Sequence, residues 1–197
     1  MKQKMIKKIT AVLLIGMCLA LAGCGGAKDP ESCKDWTEGV MRINGGIITI
    51  GKTKIDDFKT TTGFDEEVKV SDYSDGSAYY YLTDGYSEIS VLAESDGRVT
   101  YFFASDRFDG KHIDFEHTTI TGPGGITMGS STVEDLAEYD KNLEGRYHSS
   151  VSDEDSSCGF IAGKAEGTFG MQDGYLYSVD GDLETRVIYE LMLKIDE

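Results

Sequence analysis

Four lysines, at positions 2, 4, 7 and 8, stand ahead of an apolar run from Ile9 to Ala22 that only Thr10 and Gly16 interrupt. Crossing a hydrocarbon core takes roughly 20 apolar residues. This run of 14 therefore reads as the apolar part of an export signal and not as a permanent membrane helix. Further on, hydrophobicity returns in short blocks. Ile55, Phe58 and Phe64 give one apolar side to a helix after Gly51, and Val133, Leu136 and Tyr139 do the same after Gly129. Elsewhere the period drops to two. Tyr79–Leu82, Glu88–Ala93, Val99–Ala104, Tyr175–Val179 and Val187–Leu193 read as strands, with tight turns at Asp84-Gly85, Asp96-Gly97 and Asp180-Gly181.

These blocks repeat. Ile48–Phe58 aligns without a gap on Ile126–Leu136, Asp84-Gly85-Tyr86 on Asp173-Gly174-Tyr175, and Arg98–Tyr101 on Arg186–Tyr189. The growing offset puts about ten extra residues in the second copy, in the polar stretch Ser149–Ser157. Thr53-x-x-Asp56 and Ser131-x-x-Glu134 read as capping boxes opening each helix, and Gly63 as a left-handed stop for the first. The expected fold class is α+β, two tandem repeats, each a capped helix packed on an antiparallel β-meander. The expected divisions are 1–23 export signal, 24–42 tether with an uncertain first element containing Trp36, 43–119 first repeat and 120–197 second repeat. Gly122-Pro123-Gly124-Gly125 lies at the joint.

Two resemblances add to this reading. Leu21-Ala22-Gly23-Cys24 resembles the lipobox of bacterial lipoproteins, which implies cleavage after Gly23, diacylglycerol on Cys24 and a flexible tether from Gly25-Gly26. Such a protein sits on the extracytoplasmic side of a cell or outer membrane, held by its acyl chains. The pattern of glycine, Ser/Thr, acid and apolar residue before Tyr-rich strands resembles the fold of the β-lactamase-inhibitor proteins, shared with small outer-membrane assembly lipoproteins. That resemblance implies a sheet that grips another protein. This chain departs from it in lacking a cysteine pair within each copy and a proline just after Gly63.

Charge narrows the partners. The first 23 residues hold four of the 19 basic residues and none of the 35 acidic ones, so the remainder carries about −20. Phosphate backbones repel such a surface, which excludes nucleic acid, and anionic headgroups leave membrane attachment to the lipid. Beyond Cys24, only Cys33 and Cys158 remain of the four cysteines once Cys18 leaves with the signal. Outside the cytoplasm they stand either as a disulfide or as two thiols.

Catalytic motifs are missing: there is neither a G-x-S-x-G elbow nor an H-E-x-x-H helix. No cofactor is implied, and the expected role is not enzymatic. His112, Asp114 and Glu116 alternate, so on a strand they would share one face and could hold a metal; the competing reading is the polar outer face of an edge strand whose Ile113 and Phe115 point inward. The favoured function is a non-catalytic protein-binding or envelope-assembly module, the alternative a small-ligand or metal-binding envelope lipoprotein. Strict alternation places Val99, Tyr101 and Phe103 against the helices, with Val187, Tyr189 and Leu191. The opposite face, with Tyr80, Leu92, Phe102, Ile188 and Met192, then becomes either a partner-binding face or a seam between copies.

Overall fold

The structure, a computed structural model, describes residues 28–33, 36–106, 112–139, 147–152, 155–162, 171–172, 175–182, 185 and 187–195, with the backbone alone over 147–178. The expected export segment and Cys24 lie outside the described residues.

Two small antiparallel elements open the fold. Strands β1 (Val40–Ile43) and β2 (Gly46–Thr49) form a hairpin. Its turn is Asn44-Gly45, both at positive φ (49° and 84°), the backbone that a two-residue hairpin turn requires and that Asn-Gly adopts readily. The chain then enters helix α1 (Ile55–Thr62), which buries Phe58 and Thr62. It stops at Gly63, whose φ of 78° is left-handed and whose N–H donates to the Lys59 carbonyl, as the sequence predicts. Four strands follow as a meander: β3 (Glu66–Asp72), β4 (Ala78–Thr83), β5 (Glu88–Ala93) and β6 (Val99–Ser105). After β7 (Ile120–Thr121) comes helix α2 (Val133–Tyr139). Strands β8 (Tyr147–Ser152), β9 (Asp155–Ala162), β10 (Met171–Gln172), β11 (Tyr175–Asp182) and β12 (Ile188–Ile195) complete the described chain.

The strands assemble into two antiparallel sheets. The smaller has the order β2-β1-β7; the larger has nine strands, in the order β3-β4-β5-β6-β12-β11-β9-β8 with β10 on β11. This overturns the expected α+β architecture of two repeats, each a helix on its own meander. Among the described residues the chain is mostly β, with two α-helices of 8 and 7 residues. The physical reason is the pairing of β6 with β12. Each would otherwise be an exposed edge with unpaired backbone groups; joined, they make one sheet out of two meanders. A single core results. It combines Met41, Ile43 and Ile48 of the small sheet, Phe58, Val133 and Leu136 of the helices, and Leu82, Val91, Phe102, Leu191 and Leu193 of one face of the large sheet. The small sheet also ties distant segments together, because β1 pairs with β7 across the expected 43–119 division.

The matched turns do share a local geometry. Thr49 N–H donates to Thr53 Oγ1 and Thr127 N–H to Ser131 Oγ, both at 2.9 Å. Gly51 N–H reaches the Val99 carbonyl at 2.7 Å, Gly129 N–H the Ile188 carbonyl at 2.8 Å. The two capping boxes are corrected, however. The Thr53 hydroxyl is engaged in the turn before α1, which begins after Lys54 with no side-chain cap. At α2 the box sits one residue later than expected: Thr132 N–H donates to Asp135 Oδ2 at 2.7 Å and Asp135 N–H to Thr132 Oγ1 at 3.4 Å. Asp180-Gly181 is not a tight turn either, since both residues lie within β11. The polar stretch around Ser149–Ser157 contributes to the paired strands β8 and β9.

Candidate interaction surface

Two β-bulges decide which residues the large sheet turns outward. Between β5 and β6, Ala93 faces Val99 but Leu92 faces Tyr101, leaving Thr100 as an extra residue. Between β11 and β12, Gly181 faces Ile188 and Asp180 faces Glu190, leaving Tyr189 extra. An extra residue reverses the alternation beyond it. Val99 and Ile188 therefore point into the core together with Phe102 and Ala104, and with Leu191 and Leu193. Tyr101 and Phe103, by contrast, turn to the opposite face, although strict alternation assigned them to the helices.

The expected partner-binding face is corrected accordingly. Phe102 and Ile188 are fully buried in the core, and Tyr80 packs against that core with the Lys59 ammonium 4.9 Å from its ring centroid. Leu92 and Met192 do lie on the outer face, both half-buried. The register supplies their neighbours: Tyr79, Leu92 and Tyr101 follow one another across β4, β5 and β6, while Tyr81, Ser90, Phe103 and Met192 form the adjacent row through β12. The rings touch. Tyr79 and Tyr81 meet edge-on at 5.2 Å, Tyr79 lies 5.8 Å from Tyr101, and Tyr101 is 6.5 Å from Phe103. Lys69 of β3 places its ammonium 5.6 Å from the Tyr81 ring centroid. Burial, and then the neighbouring Tyr79, push the Tyr101 phenol well above its ordinary value, so it remains a neutral hydrogen-bonding group. Beneath the rings, Ser90 and Ser105 are fully buried. At the β12 end, Glu190 stands opposite Ser105 on one side and Asp180 on the other.

The histidine–carboxylate group is not gathered on one strand face. Residues 112–114 have no regular structure and 115–117 form a turn, so His112, Asp114 and Glu116 share no strand face. His112 Nδ1 contacts Asp106 Oδ1 at 2.9 Å, His117 Nδ1 contacts Asp114 Oδ2 at 2.9 Å, and Asp114 Oδ1 accepts the Glu116 N–H at 3.0 Å. Ile113 is buried as expected, whereas Phe115 is exposed and not inward-facing. Among the described residues, no group of three His, Cys, Asp or Glu side chains is placed to hold a metal ion.

Sequence reasoning missed a polar network that fixes this end of the sheet. Asp84 Oδ1 accepts the N–H groups of Tyr86 and Ser87, and Asp84 Oδ2 accepts from Asn44 Nδ2 and Thr118 Oγ1. Burial works against ionisation of Asp84, but those four donors outweigh it and hold the carboxyl below its ordinary value. The Asp84-Gly85 and Asn44-Gly45 dipeptides were the available signals, each marking a turn whose first side chain is free to bond locally. Cys33 is buried with its thiol 3.8 Å from the Asp29 carbonyl. The Cys158 side chain lies outside the described residues, although its backbone pairs with Gly181. A cleft of about 440 Å³ lies beside α2, lined by Gly124, Gly125, Ser130, Asp135 and Glu138 among others. Among the described residues no helix is long and apolar enough to cross a membrane.

No family model matches the chain, and no curated protein matches it. Among solved structures it is similar to a DUF4309 family protein (YjgB) from Bacillus subtilis, with 12% identity over 75% of this chain and 82% of that one and a TM-score of 0.38. That likeness is too slight to inform fold or function.

Proposed function

We propose that this chain is an extracytoplasmic lipoprotein, held to a bilayer by lipid on Cys24, whose outer sheet face binds another protein of the cell envelope without catalysing a reaction. The observation supporting the binding role is the contiguous set Tyr79, Tyr81, Leu92, Tyr101, Phe103 and Met192, all half-buried on the face away from the core. Surface rows that meet only water are more polar than this, and a contiguous apolar patch marks an interaction site. Tyrosines suit the role because each presents a large rigid ring with few torsions to freeze and a polar tip for hydrogen bonding. The face is also built on paired strands, which fix its shape in advance of binding. The cleft beside α2 is less suited to a ligand, because its Asp135 carboxylate is already committed to Thr132.

The decisive experiment compares crosslinked capture from native membranes by the wild type and by Phe103→Glu with Met192→Glu. On an open face the pair of charges abolishes capture of the wild-type partner while thermal stability stays nearly unchanged. Unchanged capture refutes the binding face, and so does a large drop in melting temperature, which would mean that the face is buried. For the anchor, Cys24→Ala is expected to move the protein out of the membrane fraction; a variant that stays fully anchored and processed defeats that part of the reading.

A further inference from the structure

At the β12 end of the outer face, Asp180 and Glu190 stand directly opposite each other on β11 and β12. Val179 and Leu191 beside them point into the core, so both acids project from the outer face, with Ser105 of β6 opposite Glu190 on its other side. Both acids are half-buried. Two ionised carboxylates facing each other across neighbouring strands and partly withdrawn from water repel, which favours a proton kept on one of them, and a protonated carboxyl can then donate to the other. We propose that Asp180 and Glu190 share one proton across the β11–β12 ladder, and that losing it loosens the seam joining β12 to β11 and β6.

The surroundings favour the protonated pair. On β11 the next acid, Asp182, accepts instead from the Thr185 N–H at 2.7 Å and its hydroxyl at 3.1 Å. β9 sets Gly159, without a side chain, opposite Asp180. On β6 the neighbouring groups are Ser105 and the neutral phenol of Tyr101, while Asp106 beyond them is taken up by His112 and the Ile113 N–H. Lys194 lies four residues along β12, opposite Tyr101 rather than beside the acids. Among the described residues no cation forms an ion pair with Asp180 or Glu190. Burial first, and the facing Asp180 second, push Glu190 up to about 7, and burial raises Asp180 as well. The two titrate as a unit.

The pH dependence follows from which state holds the proton. An unfolded glutamate releases its proton near 4.5, whereas the native pair keeps one up to about 7. Through that window the native state binds more protons than the unfolded one, so stability falls as pH rises and levels off above it. This is the reverse of a salt-bridged acid.

The test is carboxyl-carbon NMR on the full chain, combined with urea unfolding at about pH 5 and about pH 8. We expect one side-chain carboxyl titrating near neutrality and a lower urea midpoint at the higher pH. Glu190→Gln keeps a donor for Asp180 but cannot ionise, so it should remove the neutral titration and most of the midpoint's fall. Ordinary carboxylate titration at both Asp180 and Glu190 overturns the proposal, as does an undiminished fall in Glu190→Gln. Should that variant fail to fold, the wild-type titration alone decides. The outcome does not depend on whether the face binds a protein.

Discussion

Phe102 and Phe103 are adjacent in the chain, yet the Thr100 bulge sends them to opposite faces, which makes truncating each to alanine a direct test of the register. Phe102 is fully buried among Val91, Phe58 and Leu193. Removing a buried phenyl costs its transfer free energy plus the cavity left behind, about 3–5 kcal/mol. For a domain of this size each kcal/mol shifts the melting temperature by about 2–4 °C, so Phe102→Ala should melt about 6–20 °C below the wild type. Phe103 is half-exposed against Tyr101 and Met192. Its truncation forfeits only part of the burial of one ring, roughly 1 kcal/mol. Urea and thermal unfolding of the two purified variants supply the comparison. A Phe103→Ala variant that is as destabilised as Phe102→Ala, or more so, refutes the bulge and the assignment of faces built on it. Deleting Thr100 is the complementary perturbation: with the extra residue gone, plain alternation from Val99 keeps Tyr101 outward and Phe102 inward, so the variant is expected to fold with its faces unchanged.

The remaining predictions probe the supports of the surface. A Cβ on Gly46 would lie 2.0 Å from the Thr61 carbonyl oxygen, so Gly46→Ala must push the β1–β2 hairpin off α1, whereas Gly63→Ala meets no atom and should cost only about 1 kcal/mol for its left-handed backbone; equal urea midpoints for the two would contradict the packing. Thr132→Ala removes the capping box of α2 and should cost about 1 kcal/mol, while Ser131→Ala leaves that box intact, and helix content by circular dichroism together with urea unfolding separates them. Asp84→Ala leaves four donors without their acceptor and should lower stability by about 2 kcal/mol at neutral pH. Because the native carboxyl is held below its ordinary value, its contribution is complete above about 3.8 and lost as pH falls through the native value, so the gap between wild type and variant should close in acid.

Local chemistry was legible from the residues alone. Gly63 ends α1 because the helix needs a left-handed residue there, and Gly51 and Gly129 turn the chain at φ of 86° and 75° for the same short-range reason. The period-two runs of β4, β5 and β6 follow from alternation between neighbours on one strand. Even the Asn44-Gly45 hairpin was written in its dipeptide. The proposed lipid anchor is argued from sequence alone, from the order of lysines, apolar run and Cys24.

Only the tertiary structure decided the rest, because it depends on partners far apart in the chain. Whether β6 and β12 stay as two edges or close into one sheet depends on backbone pairing between residues such as Phe102 and Leu193, which no local pattern encodes. The bulges at Thr100 and Tyr189 arise where each strand must both bond Gly51 or Gly129 and keep register with its neighbour. One unpaired residue there reverses every side chain that follows. Composition permits Phe102 on either face; the core around Phe58 and Leu193 puts it inside, and the same step leaves Tyr101 and Phe103 outside to form the surface.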